Sequence, residues 1–299
     1  MRAAEPAVQV QRDSMPLPAR KWLVGSVSAG LYAGSMLLLN NAWYRNYPKA
    51  PFHTYNDAGE WLQTDKVGHA WSAYNLSLGT TAAWNWAYGN DPEKKNKALL
   101  LGSLSGFSYL TVIEILDAHS AKWGWSWADM GANAFGTGLF ALQQWRWNEQ
   151  KINFKFSAHR KDHPNVLEAR ADELFGSSLP ERLLKDYNGQ TYWLSTSLRN
   201  LFPKSGLPAW LSVAVGYGAE GMYGGFRNVA YDEQGQLSFD RRDIRRVRQW
   251  YLAPDINLAK IPVKKKWLRT VFVVLNSVKF PAPALEWSER RLRLKPLAF

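Results

Sequence analysis

Between Trp22 and Tyr44 the chain carries no charge; Arg20 and Lys21 precede this stretch and Arg45 follows it. At 1.5 Å of rise per residue, a helix of that length crosses roughly 30 Å of hydrocarbon. Ser26, Gly30 and Gly34 recur every fourth residue, the small-residue spacing that lets helices approach closely. Three further stretches have helical length: Asp65 to Tyr88, Lys97 to His119 and Ser126 to Trp147. Short connections make consecutive helices antiparallel neighbours. The pattern therefore predicts a mainly α fold, an antiparallel four-helix membrane-associated bundle followed by a β-containing C-terminal region. The expected division is an N-terminal tail over 1–19, the bundle over 20–150 and a basic, β-containing region over 151–299.

After Trp147 the pattern changes. Residues 151–185 read as polar and broken, with "DHPN" and "GSSLP" as interruptions. Leu211, Val213, Val215 and Tyr217 then alternate with Ser212, Ala214, Gly216 and Gly218, the period of two that defines a strand. "TYWLSTSL", "RQWYLAPDINL" and "LEWSERRLRLKPLAF" have the same character. One amphipathic helix, "KKWLRTVFVVLNSV", places Trp267, Val271, Val274, Leu275 and Val278 on one face. The final Phe299 closes an alternating stretch, as in many outer-membrane β-proteins. An outer-membrane β-barrel with a helical periplasmic part is thus an alternative architecture.

Tryptophan placement supports contact with a membrane. Trp22 and Trp43 flank the first segment, Trp84 and Trp86 close the second, and Trp123, Trp125 and Trp127 precede the fourth, which ends in Trp145 and Trp147. Indole rings favour the water–lipid boundary. Against full insertion, "SAYNLSLGTTAAWNW" carries two asparagines and several hydroxyls. The first segment reads as an anchor or membrane helix rather than a cleaved signal, because its charged leader is long and "LLLNNAWY" offers no small-x-small cleavage site. With no cysteine in the 299 residues, disulfides and thiolate metal sites are excluded. Gly-rich phosphate loops, zinc-finger spacings and a G-x-S-x-G elbow are likewise missing from the sequence.

The helices carry a constellation. Asp65 and His69 are four apart on the second helix, Glu114 and Asp117 three apart on the third, and Asp129 and Asn133 four apart on the fourth, with Gly136 on the same side. The first pair opens its helix, the second closes its helix and the third opens its helix. Antiparallel topology therefore brings all three to one pole. Asp65 and Asp129 suit helix N-termini, whereas Glu114 and Asp117 sit where the dipole disfavours negative charge. The cluster needs cations; Lys66 supplies one, a protonated His69 another, and a divalent metal would supply more. Three readings follow. A buried polar network would pair Lys66 with Glu114 or Asp117 and let Asn133 bridge helices. A metal centre would draw ligands from Asp65, His69, Glu114, Asp117 and Asp129. Acid–base chemistry would use His69 as proton carrier. His119 could join either chemical reading, although alone it reads as a solvated loop histidine.

"WLQTDKVGHAWSAY" and "GFSYLTVIEILDAHSAKWGWSWADMGANAFGTG" resemble the YfiM-like family of predicted periplasmic lipoproteins, whose domain has no assigned function. The shared pattern of D-K-x-x-H, E-x-x-D and G-x-S-W-x-D falls on Asp65, Lys66, His69, Glu114, Asp117, Gly124, Ser126, Trp127 and Asp129. "LLKDYNGQTYWLS" and "VAVGYGAEGM" extend the resemblance to the longer Bacteroidetes-type members. A looser similarity links Asp129, Ala132, Asn133 and Gly136 to the D-x-x-A-N-x-x-G of VanZ-like membrane proteins. The resemblance implies a bacterial envelope location on the periplasmic side. Without a cysteine to acylate, the expected anchor is the first helix, the bundle or the C-terminal half.

Lys and Arg total 37 against 25 Asp and Glu, a net charge of +12. Much of the excess lies in "RRDIRRVR", "KKKWLR" and "ERRLRLK". Solvated faces account for such clusters as well as partners do. As partners, anionic lipid head groups fit them, with other envelope proteins as a further class; nucleic acid is not expected, since no reader motif accompanies them. Charge counting places the N-terminus and the C-terminal half on the cytoplasmic side. The resemblance places them on the periplasmic side, and the reading adopted follows it, with the outer membrane favoured over the inner. The expected role is a structural or accessory envelope component. The alternative is a metal- or His-dependent enzyme acting on a lipid-linked or cell-wall substrate.

Overall fold

The computed structural model describes residues 15–45, 47–232 and 234–299, without the side chains of 42 and 43. The first fourteen residues of the expected tail, and the ring of Trp43 assigned to an aromatic belt, lie outside the described residues. Helix α1, Leu17–Leu39, starts earlier than the uncharged stretch because Pro18 is tolerated in a first helical turn. Its end widens into a π-helical turn at Asn40–Tyr44. Helices α2, Thr64–Ala87, α3, Lys95–Ala118, and α4, Trp127–Trp147, follow.

Their directions alternate. The Arg20 guanidinium lies 5.1 Å from the Trp86 ring, so the start of α1 meets the end of α2. A Cβ on Gly102 would fall 2.1 Å from Thr81 Oγ1, and one on Gly136 only 2.0 Å from the Ala70 carbonyl oxygen. Only glycine permits either approach, and the second seats α4 directly beside the start of α2. Ala70, Tyr74, Leu99 and Phe140 form the core between these helices, joined by Phe154 and Tyr192 from the sheet. By length and composition, Leu17–Leu39 and Pro92–Ala118 are apolar enough to cross a membrane, and only 6% of the first span is buried.

The C-terminal half holds β1 (Ile152–Ala158), α5 (Asn165–Phe175), α6 (Leu179–Lys185), β2 (Gln190–Ser197), the short α7 (Leu198–Leu201), β3 (Leu211–Glu220), β4 (Val229–Tyr231) and β5 (Leu237–Asp240). It ends with β6 (Val247–Ile256), α8 (Lys266–Leu275), β7 (Ala282–Ser288) and β8 (Arg291–Ala298). Six strands make one antiparallel sheet in the order β1-β2-β3-β6-β7-β8, with β4 and β5 as a separate hairpin. The stretch read as polar and broken thus contains a strand and two helices. Helix α5 buries Leu167, Ala171 and Phe175 at four-residue spacing, and Ser178 with Glu181 forms a capping box on α6.

The sheet rolls up. Lys155 of β1 pairs with Asp255 of β6 at 2.7 Å, although β2 and β3 separate their strands. Phe156 of β1 accepts from Lys279 N and donates to the Ser277 carbonyl oxygen, each at 2.9 Å, so the chain entering β7 returns to β1. At the rim, the His159 and Phe299 rings meet with centroids 5.2 Å apart.

Side chains are sorted by face against the usual rule. One transverse row on the enclosed face reads Lys155, Trp193, Gly216, Tyr251, Glu286, Arg293. On the opposite face the registers align Phe154, Leu194, Val215, Leu252, Leu285 and Leu294, and beside them Phe156, Tyr192, Tyr217, Trp250, Trp287 and Leu292. Helix α2 covers this face at β1 and β2, where Trp71 packs on Phe156 and Tyr192. Beyond it the aliphatic row is open: Val215 is 51% exposed and Leu294 71%. On α8, Trp267 and Val274 also point outward, 63% and 65% exposed. The alternation along 211–218 therefore buries its small and polar residues and turns its large apolar ones outward, with Val215 exposed and Leu211, Val213 and Tyr217 half-buried.

Candidate functional site

The pole where α2 and α4 begin and α3 ends is roofed by the two connecting segments. Residues 50–55 pair with 118–125 through backbone bonds such as His53 N to the Ala118 oxygen and Trp125 N to the His53 oxygen. Immediately before α2, Trp61, Leu62 and Gln63 all take left-handed backbone conformations (φ 47°, 52° and 68°). Such consecutive non-glycine residues are costly and occur where surrounding structure enforces them. Here the Leu62 carbonyl accepts from the Tyr217 hydroxyl and Trp61 packs against Phe175 and Tyr187. The turn aims Asp65 and Lys66 into the pole.

Lys66 is held by three carboxylates: Asp57 at 2.6 Å, Asp65 at 2.9 Å and Asp129 at 2.9 Å. This differs from the expected pairing with Glu114 or Asp117, because Lys66 in the first turn of α2 faces the start of α4 rather than the end of α3. His69 Nδ1 lies 3.2 Å from Asn133 Oδ1 and 3.6 Å from Glu114 Oε1. Its Nε2 faces Asp129 Oδ1 across 4.0 Å. Ser126 caps α4 by accepting from Asp129 N at 3.0 Å, and its own hydroxyl donates to Asp57. Burial opposes charge on His69, but Asp129, Asp65 and Glu114 outweigh it and hold the imidazole up to about 9. Burial pushes the Asp129 carboxyl up to about 7 against the pull of His69 and Lys66.

Asp65, Lys66, His69, Glu114, Asp129 and Asn133 therefore sit together. Asp117 stands at the edge, accepting from the Tyr44 hydroxyl at 2.8 Å. His119 lies apart from them, exposed, with its ring against Phe52. Sequence reasoning missed Asp57, which completes the cage around Lys66. It also missed Tyr44 and Tyr187, the latter donating to Asp65 Oδ1 at 2.7 Å. Tyr187 lies within "LLKDYNGQTYWLS", a segment the resemblance had already marked; Asp57 carried no comparable signal.

The pole opens on a cavity of about 200 Å³ lined by Tyr44, Asp65, His69, Asp117, Asp129 and Tyr187. Among the described residues, the buried atoms Glu114 Oε1, Asp129 Oδ1 and Asn133 Nδ2 there have no hydrogen-bond partner. Asp65, His69 and Asp129 each offer one ligand atom within 4.8 Å of the others.

Residues 54–144 match the family described as "Predicted periplasmic lipoprotein (DUF2279)". The matched stretch contains the polar residues of α2, α3 and α4 and the roof around 118–125, and it stops before the sheet. No curated protein and no solved structure matches the chain.

Proposed function

We propose that the protein is a structural or accessory component of a bacterial envelope membrane, on its periplasmic side, with an antiparallel four-helix bundle over 20–150 and a basic sheet region over 151–299. The sorting of the sheet carries this reading: beyond the part covered by α2, aliphatic and aromatic rows lie open on its outer face, while charged, polar and small side chains, with Trp193 and Tyr251, face inward. Water-soluble proteins rarely expose contiguous apolar patches beyond a few hundred Å². An apolar exterior, an aromatic row beside it and a polar interior are the arrangement that lipid selects in β-proteins. The exposed Lys264, Lys265, Lys266 and Arg269 beside the apolar face of α8 suit anionic head groups. The periplasmic assignment rests on the matched family's description, and the YfiM-like and VanZ-like resemblances at Asp65–His69 and Asp129–Gly136 agree with an envelope location. The outer membrane is favoured over the inner by the sheet. Density-gradient separation of membranes, followed by an alkaline carbonate wash, tests this: the protein should stay with the outer-membrane fraction. Release into the wash would refute it.

A second reading is a metal- or His-dependent enzyme acting on a lipid-linked or cell-wall substrate. It is favoured by His69, which opens on the cavity beside Glu114 and Asp129, a proton carrier with two carboxylates to orient it. Turnover of such substrates that falls in His69→Ala while the fold persists would establish it; an equal rate in both proteins would dismiss it.

A further inference from the structure

The geometry points to a divalent transition-metal site at the pole, with Asp65, His69 Nε2 and Asp129 Oδ1 as ligands and Asn133 as the residue that orients the imidazole. This deepens the second reading by naming the ligand, but metal binding stands or falls without any turnover.

The charge balance sets the need. Asp57, Asp65, Glu114, Asp117 and Asp129 converge on one pole, whereas Lys66 and His69 are the cations that contact them there. Lys66 is already shared among three of those carboxylates. What it leaves behind is specific: Asp129, 4% exposed, keeps Oδ1 without a hydrogen-bond partner among the described residues, and Glu114, 1% exposed, keeps Oε1 without one, each reached only by His69 at 4.0 and 3.6 Å. A buried carboxylate oxygen left unpaired costs free energy that a hydrogen bond, a bound proton or a cation offsets, and an entering metal ion replaces the proton.

The histidine supplies the second argument. Both groups nearest Nδ1, the Asn133 amide oxygen and Glu114 Oε1, are acceptors, so Nδ1 carries the proton. Nε2 is then the nitrogen free to bind an ion, releasing its proton as the ion enters, and it faces Asp129 Oδ1, which has no hydrogen-bond partner. Their 4.0 Å separation is too long for a hydrogen bond. It accommodates an ion bound about 2.0–2.2 Å from each atom. Metal-bound histidines characteristically donate their other N–H to a carbonyl or carboxylate, which is the role Asn133 and Glu114 fill here. Asp65, its Oδ1 already taken by Tyr187 and its Oδ2 by Lys66, supplies a third oxygen through the remaining lone pairs. The cavity gives the ion a route in and room for water in the open positions.

Two carboxylates and one imidazole suit zinc, manganese or ferrous iron better than calcium, which takes oxygen alone. The test uses the full chain in detergent, freed of any affinity tag, stripped with EDTA and dialysed against zinc or manganese chloride before elemental analysis. Wild type should retain about one equivalent of at least one of these metals, with His69→Ala and Asp129→Asn retaining almost none and Asn133→Ala binding about 10–100-fold more weakly. Retention by His69→Ala equal to that of wild type would overturn the site. So would a stripped wild type that binds neither metal and shows no rise in Tm when either is added. Because the Tm comparison needs only wild type, it decides the matter even where a variant fails to fold.

Discussion

Both halves of this molecule turn polar side chains inward, but only the helical pole is left with an excess of carboxylates. Inside the sheet, Lys155 meets Asp255 at 2.7 Å, and Glu286 lies between Lys295 at 3.2 Å and Arg293 at 3.8 Å. At the helical pole, among the described residues, Asp57, Asp65, Glu114, Asp117 and Asp129 gather around Lys66 and His69, and Glu114 Oε1 and Asp129 Oδ1 have no hydrogen-bond partner. Paired charges can fix a shape without any ligand. An unbalanced cluster with unsatisfied carboxylate oxygens beside a cavity is the arrangement that the proposed cation would relieve, because unpaired buried charge is the more expensive one. The difference separates a region that holds the molecule in place from a region that could act.

Breaking the buried ion pair of the sheet half should give the largest effect. Asp255→Ala strands the Lys155 ammonium, which is 1% exposed, and should cost about 3–5 kcal/mol in thermal or denaturant unfolding. Combining it with Lys155→Met should recover most of that loss, since an apolar pair of similar volume needs no counter-charge. If the double variant is as unstable as the single, the pair is not what holds the strands together.

The outer rows give the next effect. Leu252→Lys or Leu285→Lys should cost about 2–4 kcal/mol when unfolding is measured in lipid, the penalty for a lysine on a lipid-facing strand. A face bathed in water would tolerate either change within about 0.5 kcal/mol.

At the pole, Ser126→Ala removes the cap of α4 and the hydroxyl donated to Asp57, a loss of about 1 kcal/mol read as a lower Tm. The smallest change is at the basic edge. Replacing Lys264 and Lys265 by alanine should weaken binding to anionic vesicles by roughly 1 kcal/mol per lysine, an effect that added salt erases. Equal binding to neutral vesicles would separate these lysines from head-group contact.

The helical half was largely legible in the sequence. Long uncharged runs bounded by charge located α1 to α4 within a few residues, and chain order alone brings Asp65, Glu114 and Asp129 to the same end. The cage around Lys66 was not legible, because Asp57 reaches it from a segment with no periodicity. Its place depends on the pairing of residues 50–55 with 118–125, a contact between two loops distant in sequence. In the other half, the alternation at 211–218 identified β3, but periodicity states only that two faces differ. Which face turns inward depends on the partners, and here Ser195, Asp255 and Lys155 enclose one another while Val215 and Leu252 face out. Helix α5 was hidden because its apolar face is one residue wide and its ends coincide with Pro164 and Gly176, and the short α6 because the side chain it buries is Arg182.

The outward direction of those rows is the central claim, and the cysteine-free chain allows it to be read without background. Single variants Leu252→Cys and Leu294→Cys, spin-labelled and reconstituted in liposomes, can be compared with Lys204→Cys for collision with oxygen and with a water-soluble nickel chelate. The account predicts strong oxygen and weak nickel collision at Leu252 and Leu294, and the reverse at Lys204. Nickel collision at Leu252 and Leu294 as frequent as at Lys204 would contradict it.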